Sequence, residues 1–199
     1  MNGPTPDKNT APDGWVGFSV DLMAPGGTAL DGGIGADGMS ASPDGGTFVL
    51  IGAAIGGFDY QEYIRQTLTG LTVGEPYSLS FWWGNGGWQN YTSGFPTDTR
   101  DSGVIVEIAG VVFTTDLVAH EGFGSQTWRH ESFTFDATAT SHLLEVKGNS
   151  SHSGLDPRFG RSAVDGIQLN VVPEPSSATL VALGLLALAR RRRVGDGVR

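Results

Sequence analysis

The sequence predicts an all-β fold, an antiparallel two-sheet jelly-roll sandwich followed by a short C-terminal hydrophobic helix. Three observations carry this. Glycine is abundant, at 31 of 199 residues, and each glycine inside a helix costs about 1 kcal/mol relative to alanine. Short apolar segments of period two alternate with turn-forming clusters. No stretch ahead of residue 175 holds helical periodicity over three turns. Short strands punctuated by turns are the pattern of a sandwich rather than of a helical or α/β domain.

The elements follow in order. Met1 to Pro12 is polar and proline-containing, with no basic region followed by an apolar run. It is not a signal peptide, so an exported chain would need a leader ahead of Met1. Residues 13 to about 46 are loop-rich. Trp15, Val16 and Phe18 form an early strand, and Ser42-Pro43-Asp44-Gly45-Gly46 is a strong turn signal. Thr47 to Ala54 is a β-branched apolar run, a strand buried on both faces. Tyr63 to Leu68 is the next strand, and Gly70 to Pro76 is a connecting turn. Tyr77, Leu79, Phe81 and Trp83 then alternate with Ser78, Ser80 and Trp82, a half-buried strand. Val104–Ile108 and Val111–Thr115 flank Ala109-Gly110 as a hairpin. Trp128 to Phe135 alternates, Leu143 to Val146 is a short strand, and Ala163 to Val172 is the last. Gly84 to Ser102 is a long irregular piece, of the kind that carries function or stays disordered.

Composition narrows the function classes. The formal charge is −9, and a run of arginines near the C-terminus carries much of the positive charge. The body is therefore more acidic still. An acidic surface repels phosphate backbones, which argues against nucleic acid as a partner. The same acidity serves solubility or supplies oxygen ligands for calcium. With no cysteine, disulfides, thiolate metal sites and cysteine nucleophiles are excluded. His120, His130, His142 and His152 show no metal-ligand spacing. No nucleophile elbow, zinc-protease helix or phosphate loop is present, so the chain is not expected to be an enzyme. A pair of glycosidase carboxylates, and hence a polysaccharide hydrolase, is the remaining catalytic alternative.

The C-terminus is the most specific part. Val171-Val172 is followed by Pro173-Glu174-Pro175, where two prolines end strand pairing and keep the chain extended. Ala178 to Ala189 is apolar all round, with five leucines and one valine. Arg190, Arg191, Arg192 and Arg193 come next. As a helix, a dozen residues rise about 18 Å, short of the ~20 residues of a full span. Six Leu/Val residues contribute roughly 2–4 kcal/mol toward insertion, and each arginine about 1 kcal/mol at an anionic leaflet. This is a marginal anchor, oriented with its arginines in the cytoplasm. Pro-Glu-Pro, an apolar segment and an arginine cluster in this order resemble the PEP-CTERM sorting signal. The resemblance implies export, transient inner-membrane anchoring and recognition by an exosortase, a membrane-embedded cysteine transpeptidase. Pro173, Glu174 and Pro175 would be the processing element, and Arg190 to Arg193 the membrane stop. The short apolar run and the residues Val194 to Arg199 depart from that pattern.

The body resembles galactose-binding-domain-like jelly rolls, which include many carbohydrate-binding modules. The likeness rests on Ile64 to Trp82, on Ser42 to Phe48, and on Val164-Asp165-Gly166-Ile167-Gln168-Leu169. Three parts are expected: a polar segment 1–12, a sandwich 13–172 and a sorting tail 173–199. Trp82, Trp88 and Tyr91 are the candidate carbohydrate contacts, because indole and phenol faces stack on sugar C–H faces. Ordinary packing and loop anchoring are the alternative roles, and Trp83 is read as core. Asp165 lies in phase with Ala163, Ile167, Leu169 and Val171, the expected inner face, where a carboxylate needs a partner. The resemblance implies a structural calcium at Asp165, with Asp13, Asp21 or Asp44 contributing. A hydrogen-bonded or solvent-facing Asp at a Gly166 bulge is the other reading. The chain thus reads as an exported surface or matrix protein with exosortase and membrane as partners. Its module is either structural, associated with extracellular polysaccharide, or a lectin.

Overall fold

The computed structural model describes residues 11–23, 39–54, 60–87, 89–90, 95–96, 101–119, 126–150 and 160–173. They form strands β1 (Val16–Phe18), β2 (Asp21–Met23), β3 (Phe48–Ala54), β4 (Tyr60–Gln61), β5 (Tyr63–Thr69), β6 (Pro76–Asn85), β7 (Gln89–Asn90) and β8 (Phe95–Pro96). After these come β9 (Ser102–Ile108), β10 (Val111–Thr114), β11 (Arg129–Asp136), β12 (Ser141–Ser150) and β13 (Gly160–Val171). One sheet runs β1-β5-β12-β9-β10. The other runs β11-β6-β13-β3-β2, with β4 also on β3. All pairings between these strands are antiparallel. From β3 onward the long strands alternate between the sheets, which is the crossing pattern of a jelly-roll sandwich.

The alternation in β6 decides the packing. Tyr77, Leu79, Phe81 and Trp83 turn inward and are buried, while Ser78, Ser80 and Trp82 face outward. They meet Ile64, Val104, Val106, Leu144 and Val146 from the five-stranded sheet in one continuous core. β3 is buried on both faces, as its composition predicts. Val49 and Ile51 join the main core, while Phe48 and Leu50 join a second cluster with Met23, Met39, Ala163 and Trp128. That cluster lies on the outer face of the six-stranded sheet.

Two expectations change. The segment around Leu143–Val146 is not a short strand but a ten-residue one, Ser141–Ser150. Gly148, beyond the short strand read at Leu143–Val146, lies within the longer one. A Cβ there would stand 2.8 Å from the Gly52 carbonyl oxygen, so its missing side chain lets β12 cross close over β3. The second change concerns Asp165, which does not face inward. A bulge between Asp165 and Gln168 shifts the register against β6. Val164, Ile167 and Leu169 therefore serve the main core, whereas Asp165 shares the outer face with Ala163. Strict alternation across a bulge gives the wrong phase.

Candidate functional site

The outer face of the six-stranded sheet holds the groups of interest. The turn signal at Ser42 folds as expected. Gly45 N donates to Ser42 O at 2.8 Å, Ser42 Oγ donates to Asp44 Oδ1 at 3.0 Å, and Gly46 N donates to the same oxygen at 3.3 Å. This turn holds Asp44 against Asp165. A Cβ on Gly166 would lie 3.6 Å from Asp44 Oδ2 and 2.9 Å from Trp82 Cδ1, and Gly166 has φ +60°. Only glycine lets the bulge, the carboxylate and the indole meet here.

Asp165 is fully buried, and neither carboxylate oxygen has a hydrogen-bond partner among the described residues. Burial, reinforced by the neighbouring Asp44 carboxyl, pushes its pKa up to about 6. Asp44 moves the opposite way, lowered chiefly by its interaction with Asp165. Asp165 is therefore the carboxyl of the pair that takes up a proton first. The oxygen donors of Asp44, Asp165 and Ser42 suit a hard cation such as calcium. Among the described residues, no three acidic or histidine groups gather into a metal-binding set. Backbone carbonyls and water would have to complete the coordination.

Trp82 stands opposite Asp165 on one side and His130 on the other. Its indole is half-buried, with ring centroids 4.7 Å from His130 at 56°. Along the same face run Ser78, Ser80, Ser132, Thr134, Gln168 and Asn170. Hydroxyls and amides without charge thus extend from the indole, a pattern able to hydrogen-bond sugar hydroxyls.

The other predicted residues fall differently. Trp83 is core, as read. Trp88, Tyr91, Glu174, Pro175 and Arg190 to Arg193 lie outside the described residues, as does the expected C-terminal helix. Of the three candidate partners for Asp165, the structure brings up Asp44. Asp13 is exposed in the turn before β1, and Asp21 is engaged by Arg161 at 3.1 Å. Ser42 and His130 were not singled out as site residues; the turn signal and the alternation of β11 were the cues available.

Fold and site define an antiparallel β-sandwich module with an outward aromatic and a buried carboxyl pair. A cyclase from Fischerella sp. TAU superposes with a TM-score of 0.58 at 17% identity, covering 84% of this chain and 88% of that one. The Stig cyclase Fisc from the same source, in complex with an indole compound, gives 0.55 at 17% identity, with 86% and 90% covered. TmCBM61 in complex with beta-1,4-galactotriose gives 0.46 at 11% identity, with 80% and 90% covered. At 17% identity, the two cyclases share the fold with this chain. No curated protein matches the sequence.

The particular assignment comes from the C-terminus, where residues 171–193 match the PEP-CTERM protein-sorting motif. The chain carries the signal of an exported protein, processed by an exosortase and sorted to the cell envelope.

Proposed function

We propose that this chain is a cell-surface or extracellular-matrix protein whose β-sandwich is a non-catalytic binding or structural module. The supporting observation is the junction between fold and signal. The last strand ends at Val171, the residue at which the sorting motif begins. Val172 N donates the last backbone hydrogen bond of the described chain, to Pro76 O at 3.0 Å. Pro173 has no N–H to continue the ladder. The described fold therefore ends where the Pro173-Glu174-Pro175 processing element begins, with Arg190 to Arg193 as the membrane stop behind it.

A lectin-like role is favoured by Trp82 and its uncharged polar track, which suit a sugar ring stacked on indole with its hydroxyls bonded alongside. Asp44, Asp165 and Ser42 would hold a structural calcium, pinning the Ser42–Gly46 turn beside that surface. Binding of the intact protein to a polysaccharide and glycan array, with Trp82→Ala, Trp88→Ala and Tyr91→Ala alongside, tests this role. Specific binding lost in the tryptophan variants supports the lectin. Binding unchanged in all three contradicts it.

A further inference from the structure

The two sides of the sandwich are closed differently. On one side the chain passes from β1 to β2, and so from one sheet to the other, through Ser19 and the fully buried Val20. The other side is formed by β10 and β11, the end strands of their sheets, which are separated in sequence by residues 115–128. There Phe113 of β10 stacks on Phe133 of β11 at 4.8 Å and 7°, and meets Phe81 edge-on. Val111, Phe113 and Phe133 pack against the core yet are only partly buried. The core therefore reaches solvent along this side.

The outer edge of β10 has a definite hydrogen-bonding pattern. Thr115 N donates to Val104 O at 3.0 Å, and Phe113 stands opposite Val106 in the antiparallel pair with β9. Alternation turns the N–H and C=O groups of Val111 and Phe113 toward β9, and those of Val112 and Thr114 away from it. Among the described residues no strand takes up that outer edge. Its sequence, Val111-Val112-Phe113-Thr114, holds neither charge nor proline, the devices that keep sheet edges from pairing. Val112 is 62% exposed.

We propose that β10 pairs antiparallel with β10 of a second copy of this chain, about a twofold axis at Phe113. In this register the outward backbone groups of Val112 face those of the partner's Thr114, and each such pair exchanges both N–H···O=C bonds. Phe113 meets the partner's Phe113 on the inner face, which covers the half-exposed ring. A slip by one residue would set inward side chains beside outward ones. Centring on Val112 instead would leave the Thr114 groups against the turn residue Gly110, whose φ is 80°. Charge agrees with the same axis. Asp116, just beyond β10, falls opposite the partner's Gly110, which has no side chain. The Phe113–Phe133 stack carries the axis past β11. Turned about Phe133, the basic end of β11, Arg129 and His130, approaches the partner's Asp136. The edge is thus complementary to itself in backbone, ring and charge, which selects a second copy as its occupant.

The test uses the full chain in mild detergent, which shields the apolar run 178–189. The chain has no cysteine, so Val112→Cys and Thr114→Cys report the register without background. Opposite residues of a hydrogen-bonded antiparallel pair lie ~5.5 Å apart at Cα, within disulfide reach. Under mild oxidation an equimolar mixture of the two variants is expected to give at least about fivefold more covalent dimer than either variant alone. Equal yields in the three samples, as association through the C-terminal segment would give, overturn the proposal, and so does a lack of covalent dimer in all three. Sedimentation of the unmodified chain is the independent measurement. A dimer whose dissociation constant rises at least about tenfold in Val112→Lys supports the pairing. A dimer unaffected by that substitution overturns it. So does a monomer at every concentration, which would leave the edge to a different extended chain.

Discussion

Asp44 and Asp165 face each other across the Ser42–Gly46 turn, one tied to its own loop and the other buried without a hydrogen bond among the described residues. Burial raises the Asp165 pKa to about 6. In the folded state Asp165 holds its proton more tightly than in the unfolded chain, so stability is lost as pH rises from about 4 through 6. Above that range the buried charge is a standing penalty unless a cation is bound. Asp165→Asn in the presence of chelator is therefore expected to be more stable than wild type by about 1–2 kcal/mol at pH 7.5, with the difference vanishing below pH 4. Calcium is expected to raise the melting temperature of wild type at pH 7.5 but not that of the variant. A melting temperature indifferent to chelation removes calcium. A stability difference that does not change with pH removes the raised Asp165 pKa.

Phe81 and Trp82 are adjacent in sequence and opposite in role. Phe81 lies in the core, edge-on to Phe113 at 6.2 Å. Phe81→Ala is expected to cost about 3–5 kcal/mol, roughly 2–4 °C of melting temperature per kcal/mol for a chain of this size. Trp82→Ala is expected to cost less than about 2 kcal/mol, since its indole is half-buried, and to act on binding instead. Chemical denaturation of both variants checks this. Equal losses would mean that the two faces of β6 are wrongly assigned.

Gly148→Ala places a methyl group 2.8 Å from the Gly52 backbone oxygen, which no side-chain rotation can relieve. The expected loss is about 1–3 kcal/mol, read as a shift in denaturation midpoint. Gly110→Ala is a useful contrast, because nothing stands within 4 Å of its added carbon, so any loss there reflects its backbone angle alone. If Gly148→Ala melts with wild type, β12 and β3 do not cross as closely as described.

Much of this architecture is legible from residues alone. The alternation from Tyr77 to Trp83 marks a strand and its inner face because burial on one side forces period two. The glycine-rich turns announce themselves through backbone angles that other residues avoid. What could not be read depends on partners distant in sequence. Gly148 lies outside the strand read at Leu143–Val146, and only Gly52 against it shows why a glycine extends that strand. The phase of Asp165 fails because one extra residue at the bulge swaps faces. Glu62 gives no local sign of burial, since Arg161 and Asp21 approach it only through the fold. The C-terminal signal is the reverse case: its meaning lies in order and composition within 23 residues, 171–193, and needs no tertiary context.

The most direct test of the whole account is cell fractionation of the intact protein against a form lacking residues 173–199, expressed in a host that encodes an exosortase. The intact chain is expected in the envelope or matrix fraction, shortened by cleavage near Pro173-Glu174-Pro175. The truncated chain is expected to retain its folded sandwich and to appear in the soluble pool at its full truncated mass. An identical distribution of the two forms, with no processing of the intact chain, would contradict the assignment.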